Sequence, residues 1–211
     1  MKAILLTFVL ATTGVAWQFA MAADLEDGIA AYQNKRYEEA MFLLKPSAEK
    51  GVAQAQVILG VIYANGLDTR KDPQQAKKWF DRAVKQNNSD AQYNLALLYD
   101  RGEGVKKDLR LAINWYQKAA EQGVPQAQYN LADKFRLGQG VKKNIHTAAK
   151  WYQKAAVQGV PEAQYNLALM YLQGHGVSRS DALAFKWLTR ASQNNYPKAI
   201  EMLKKLDVVV Q

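Results

Sequence analysis

The sequence predicts an all-α fold, a solenoid of stacked antiparallel helix pairs. Three observations carry this. A block of about 36 residues recurs along the 211-residue chain, and a period of that length marks one helix–turn–helix unit per repeat. Within each block the apolar residues fall at helical spacing. Between the apolar stripes stand glycine, asparagine and proline at fixed positions. Compare PQAQYNLADKFRLGQGVKKNIHTAAKWYQKAAVQG from Pro125 with SDAQYNLALLYDRGEGVKKDLRLAINWYQKAAEQG from Ser89.

The first helix of each unit, helix A, is defined by three columns. Ala55, Ala91, Ala127, Ala163 and Ala199 stand 36 residues apart, as do Leu59, Leu95, Leu131, Leu167 and Leu203. Tyr63, Tyr99, Phe135 and Tyr171 complete an i, i+4, i+8 stripe, which lies on one face of a helix. Helix B carries Ala76, Ala112, Ala148 and Ala184, then Trp79, Trp115, Trp151 and Trp187. Phe80, Tyr116, Tyr152 and Leu188 follow, and Ala83, Ala119, Ala155 and Ala191 close the stripe. Alanines let two helices approach and tryptophan fills the space between layers.

The punctuation fits this reading. Pro125, Pro161 and Pro197 open helix A, where a missing N–H costs nothing. Gly51, Asn87, Gly123, Gly159 and Asn195 end helix B, and Gly66, Gly102, Gly138 and Gly174 end helix A. These residues enter the left-handed conformation that helix C-caps need. Asp72, Asp108, Asn144 and Ser180 are the expected N-caps of helix B. The A–B loop reads GEGVKKD, GQGVKKN and GHGVSRS, but GLDTRKD in the first unit, where Asp68 replaces a glycine.

These columns resemble the Sel1-like repeat, a relative of the tetratricopeptide repeat. In one unit the diagnostic residues are Ala91, Leu95, Tyr99, Gly102, Gly104, Val105, Asp108, Ala112, Trp115, Tyr116, Lys118, Ala119, Ala120 and Gly123. The resemblance covers four units, 53–196, and implies a right-handed superhelix. Residues 23–52 lack the G-x-G-V loop and read as a tetratricopeptide-like capping pair, in which Pro46 should bend or shorten the second helix. Residues 197–211 read as a capping helix, about Pro197–Leu206, and a frayed tail. The whole is five and a half helix pairs.

Residues 1–22 have the form of a secretory signal: Lys2, an apolar stretch Ala3–Ala16, and Ala20-Met21-Ala22 as an A-x-A site cut after Ala22. Export to the periplasm or beyond follows. Removing Lys2 with the leader takes the net charge from +9 to +8. A basic exported chain favours an acidic protein partner over nucleic acid. The chain has no cysteine, which excludes disulfides, thiolate metal sites and a catalytic thiol. No cofactor is expected. His146 and His175 lie in different units without partners at ligand spacing, and no phosphate-binding glycine loop is present.

The candidate site is the face of helix A opposite its buried stripe, which the resemblance makes the concave surface. With Ala127 at 0° and 100° per residue, Tyr129 falls at about 200°, Arg136 at about 180° and Asp133 at about 240°. Tyr93, Tyr129 and Tyr165 then form a row, flanked by Leu97, Asp133, Arg136 and Leu169. Tyrosine suits a protein interface; the competing reading packs each ring against the next unit. Asn94, Asn130 and Asn166 bind either a partner's backbone or the adjacent unit. Loop columns Arg70, Lys106, Lys142 and Lys71, Lys107, Lys143, Arg179 form basic ridges, either steering an acidic partner or solvating the surface. A helix B column, Arg82, Lys118, Lys154 and Arg190, adds to them.

The function expected is exported protein–protein recognition by a monomer, without catalysis. The resemblance implies envelope scaffolding, host-cell interaction or immunity to secreted toxins as roles. The alternative is a β-lactam or cell-wall hydrolase, as described for cysteine-rich Sel1-like proteins. Ser47-Ala48-Glu49-Lys50 spells S-x-x-K, but Ser47 stands in the small-residue packing column and no S-D-N or K-T-G element accompanies it.

Overall fold

The computed structural model describes residues 24–210; the expected signal segment 1–22 lies outside them. Every regular element described is helical. Helix α1 covers 24–33. It is followed by α2 (Tyr37–Glu49), α3 (Ala53–Asn65), α4 (Pro73–Val84), α5 (Ser89–Arg101) and α6 (Leu109–Glu121). Then come α7 (Pro125–Leu137), α8 (Ile145–Val157), α9 (Pro161–Gln173), α10 (Asp181–Gln193) and α11 (Pro197–Val210). Odd-numbered helices from α3 onward are the A helices and even-numbered ones the B helices. Packing is sequential: α3 against α4, α7 against α8, α9 against α10, with α2–α3, α6–α7, α8–α9 and α10–α11 contacts joining consecutive hairpins. This is the α-α solenoid class.

The chain divides into two compact units, one of 24–98 with 103–106, the other of 99–102 with 107–210. The division crosses the end of α5 for a physical reason. Glu103 pairs with Lys71 at 2.9 Å and Gly104 seats on Pro73, both in the first unit. Asp100 instead bonds Lys134 and Tyr116 of the second.

Inside each unit the small-residue columns are the core. Ala55, Ala76, Ala83 and Ala91 in the first unit, and Ala112, Ala127, Ala148, Ala163, Ala184 and Ala199 in the second, are wholly buried. So are Phe80, Tyr116, Tyr152 and Leu188, the residue after each tryptophan. Expected caps form: Asp72 accepts from Gln75 N–H at 2.9 Å, Asp108 from Arg110 and Leu111, Asn144 from Thr147, and Ser180 from Leu183.

The second loop glycine explains the G-x-G signature. Gly140 has φ +73° and a Cβ there would stand 2.6 Å from Leu109 Cβ, at the start of the preceding helix B. Only a residue without Cβ permits that approach. Asp68 occupies the equivalent position with φ 49°. Its loop follows the N-terminal pair, which has no G-x-G-V segment, and Asp68 is exposed.

Two expectations change. Pro46 does not shorten α2, which keeps the 13 residues of α3; Pro46 is exposed in a helix otherwise held by buried Ala40, Leu44, Ser47 and Ala48. The last helix does not stop near Leu206 but continues to Val210.

A second repeated device is a buried amide. Gln56, Gln128 and Gln164 are buried polar residues on the A helices. Each donates from Nε2 to the last turn of the preceding helix B: Ala48, Ala120 and Ala156 carbonyls at 2.9, 3.0 and 3.0 Å. Each accepts from the C-cap region of its own helix B, from Gln86, Gln158 and Asn194. One side chain thus ties three helices, adding a donor to a helix-end carbonyl that also accepts from the turn after it.

Candidate functional site

The A-helix surface of the second unit holds most of the predicted site. Tyr129 on α7 is half-buried against Tyr152 of α8, with ring centroids 6.0 Å apart. Tyr165 on α9 meets Tyr196, just before α11, at 5.4 Å. One side of each ring is therefore used in packing, and the partners are these two aromatics. Tyr93 and Leu97 lie on α5 in the first unit and are partly buried.

Asp133 and Arg136 come together as the helical wheel predicts. Arg136 donates to Asp133 Oδ1 from Nε at 3.0 Å and from Nη2 at 2.7 Å. It also reaches Tyr152 Oη at 2.8 Å, and the Tyr152 hydroxyl donates to Asp133. Tyr152 was read from the sequence as core alone, and its ring is fully buried. Its hydroxyl nevertheless extends through to the A-helix side and closes the network. Burial, then the Asp133 carboxylate, push both Tyr129 and Tyr152 well above the ordinary tyrosine range, so both are neutral donors under ordinary conditions.

A parallel network stands one repeat earlier. Tyr116 donates to Asp100 at 3.2 Å and Lys134 Nζ approaches the other Asp100 oxygen at 2.6 Å. The side chains of Lys134 and Asp100 are only 12% and 19% exposed. Column mates of Lys134 are Ile62, Leu98 and Met170, all buried apolar residues. Repeat 125–160 therefore replaces aliphatic residues with charge at Asp133 and Lys134, and carries Arg136 where the preceding repeat has Asp100.

Beside this charged patch lies a cleft of about 380 Å³. Its walls come from the end of α7 (Arg136, Leu137), the following loop and α8 (Lys143, Ile145), α9 (Asn166, Leu169, Met170, Gln173) and the loop after it (His175). Predicted residues Arg136, Leu169 and Lys143 thus meet around one recess. The arrangement offers cationic hydrogen-bond donors over an aliphatic wall.

The other predicted cations divide. Lys71 pairs with Glu103 and Arg179 with Asp181. Arg70 and Lys71 border another groove with Asp72. Lys106, Lys107 and Lys142 are exposed. The helix B cations are not a free ridge: Arg82, Lys118, Lys154 and Arg190 each lie over the tryptophan three residues earlier, at 4.6, 4.3, 4.3 and 5.0 Å from the ring centroid. Such contacts are worth about 0.5–1 kcal/mol each at exposed sites and hold the aliphatic stems against the B helices. Asn94 donates to its own helix, to Asp90 O at 2.8 Å, which fits neither earlier reading of that residue.

Ser47 Oγ is buried and has no hydrogen-bond partner; the residue packs as its alanine column mates do. His146 Nδ1 lies 3.1 Å from Gly176 O. Among the described residues, no group of three or more His, Cys, Asp and Glu could hold a metal ion, and no helix is long and apolar enough to cross a membrane.

The comparisons with known proteins agree with this architecture. The model of the Sel1 repeat matches residues 18–52, 53–88, 89–124, 125–160 and 161–196. The structure is similar to a protective antigen of uropathogenic Escherichia coli with an SLR fold, at 40% identity and TM-score 0.74, over 77% of this chain and 35% of that one. It is similar to a Sel1 repeat protein from Oxalobacter formigenes at 33% identity and TM-score 0.74, over 80% of this chain and 49% of that one. The chain thus spans about a third and about half of these two relatives. Helicobacter pylori cysteine-rich protein B, at 21% identity and TM-score 0.50 over 63% of this chain and 95% of that one, shares the fold alone. No curated protein matched. Five consecutive matched repeats span most of the chain, and it belongs to the Sel1 repeat family.

Proposed function

We propose that the protein is an exported interaction module that binds a protein partner on the A-helix face of its second unit. The observation that carries this is the cleft between α7 and α9, where Arg136, Lys143 and Asn166 stand beside Leu169 and Met170. An aliphatic floor with a few convergent polar groups is the composition of a recognition site. Tyr129 and Tyr165 extend the surface with half-buried rings that expose both apolar area and a hydroxyl tip. Export rests on the signal-like form of residues 1–22. The exposed loop lysines bias encounter toward acidic partners.

The test is affinity capture from the native cell envelope with immobilised 23–211, comparing the unaltered protein with Leu169→Asp and Asn166→Ala. A protein retained by the unaltered chain and lost with both variants, at unchanged melting temperature, supports the reading. Equal retention by all three, or no retained protein, refutes it.

A further inference from the structure

We infer that the α7–α9 cleft is a carboxylate site, taking an Asp or Glu side chain of the partner together with an adjacent aliphatic one. The inference rests on the A-helix face being the partner surface. Its first support is charge. Arg136 and Lys143 line the cleft, and no aspartate or glutamate does.

A second support is the state of the arginine. Asp133 and Tyr152 hold the Nε edge and Nη2 of Arg136, while its side chain remains 40% exposed and Nη1 has no hydrogen bond among the described residues. A guanidinium clamped on one edge and open on the other is already oriented for a carboxylate. Little rotamer entropy is then lost on binding.

The repeat columns supply the third. Lys71 and Arg179, at the two ends of the column containing Lys143, have their own carboxylates in Glu103 and Asp181; among the described residues, Lys143 and Lys107 form no ion pair. One repeat before Arg136 its column holds Asp100, which receives its counter-charge from Lys134 on the following A helix. At the same register after Arg136, the following A helix presents Met170, buried and apolar. Arg136 has its own counter-charge in Asp133, so Lys143 is the cation of this cleft that lacks one. Leu169, Met170 and Ile145 form the wall beside the cations, so the complementary segment alternates acidic and aliphatic residues.

Fluorescence polarisation with a fluorescein-labelled Leu-Glu-Leu-Glu peptide, and with Leu-Gln-Leu-Gln as its isostere, tests this on the 23–211 chain. The acidic peptide should bind about ten-fold more tightly than the amide peptide, as charge-assisted contacts require. Lys143→Gln should erase that difference. Lys142→Gln, at an exposed neighbour outside the cleft, should change affinity by less than about two-fold. Equal binding of the two peptides, absence of saturable binding, or equal effects of Lys142→Gln and Lys143→Gln would each overturn the carboxylate site. An envelope partner that needs Leu169 but ignores Lys143→Gln would also overturn it, while leaving the partner surface intact.

Discussion

Removing Asp100 should destabilise the second unit far more than removing an exposed acid, because it strands a lysine in an aliphatic column. Lys134 Nζ and Asp100 Oδ1 are 2.6 Å apart, with side chains 12% and 19% exposed. At an effective dielectric constant of about 20, unit charges at that separation attract by about 6 kcal/mol. Desolvation of both groups cancels much of this, but only while both are present. Asp100→Ala keeps the desolvated lysine and removes its counter-charge. Tyr116 also loses its acceptor, and Lys134 keeps only Gln139 Oε1 at 3.3 Å. The expected cost is about 3 kcal/mol, the low end of what broken buried pairs cost, or roughly 6–12 °C in melting temperature for a chain of this size.

The repeat itself supplies the compensating variant. Asp100→Leu with Lys134→Met takes the apolar residues of the same two columns, Leu172 two repeats after Asp100 and Met170 one repeat after Lys134. That double variant should fall within about 1 kcal/mol of the unaltered protein, since replacing a buried pair by packed apolar residues is nearly neutral. Urea denaturation followed by circular dichroism reads all three proteins. A cost under about 1 kcal/mol for Asp100→Ala, or a double variant as unstable as the single, would refute the assignment of Lys134 as a buried, charge-dependent residue.

Three further outcomes follow from the same contacts. Gln128→Leu removes the side-chain donor to the Ala120 carbonyl, which keeps the Gly123 N–H, and the acceptor of the Gln158 amide; it should cost about 1 kcal/mol by urea titration, whereas Gln158→Ala should cost less. Gly140→Ala forces a Cβ to 2.6 Å from Leu109 Cβ at φ +73° and should destabilise by more than about 1 kcal/mol, while Asp68→Gly in the equivalent loop should be neutral or stabilising. Tyr129 and Tyr152 are raised in the folded state, by burial and then by Asp133. Their contribution is fully present below the unfolded tyrosine value of about 10 and is lost as pH rises beyond it; Tyr152→Phe should flatten that alkaline loss in melting temperature measured from pH 9 to 12.

The period-36 columns disclosed the architecture because each packing contact occurs in every repeat. Ala127, Leu131 and Tyr152 must satisfy the same neighbours as their column mates, so the apolar pattern, the left-handed glycines and the N-caps could be read without coordinates. The glutamine column Gln56, Gln92, Gln128 and Gln164 was equally regular, and a polar residue held constant beside buried alanines was a readable sign of a buried hydrogen bond. Helical periodicity, however, sorts residues by apolarity and gives no rule for what a buried amide bonds.

Other features were settled by tertiary structure. Asp100 and Lys134 are 34 residues apart, a separation with no helical period, and meet only because α5 and α7 bring their last turns together. Tyr152 belongs to the core by its column, yet its hydroxyl reaches Asp133 and Arg136. Lys143 and Lys71 share a column, yet one finds a carboxylate and the other lines a cleft. Sequence determined what every repeat holds in common, since identical packing demands identical residues. The structure decided which charges pair across repeats, since that depends on the register of neighbouring helices, and those differences distinguish the second unit's cleft.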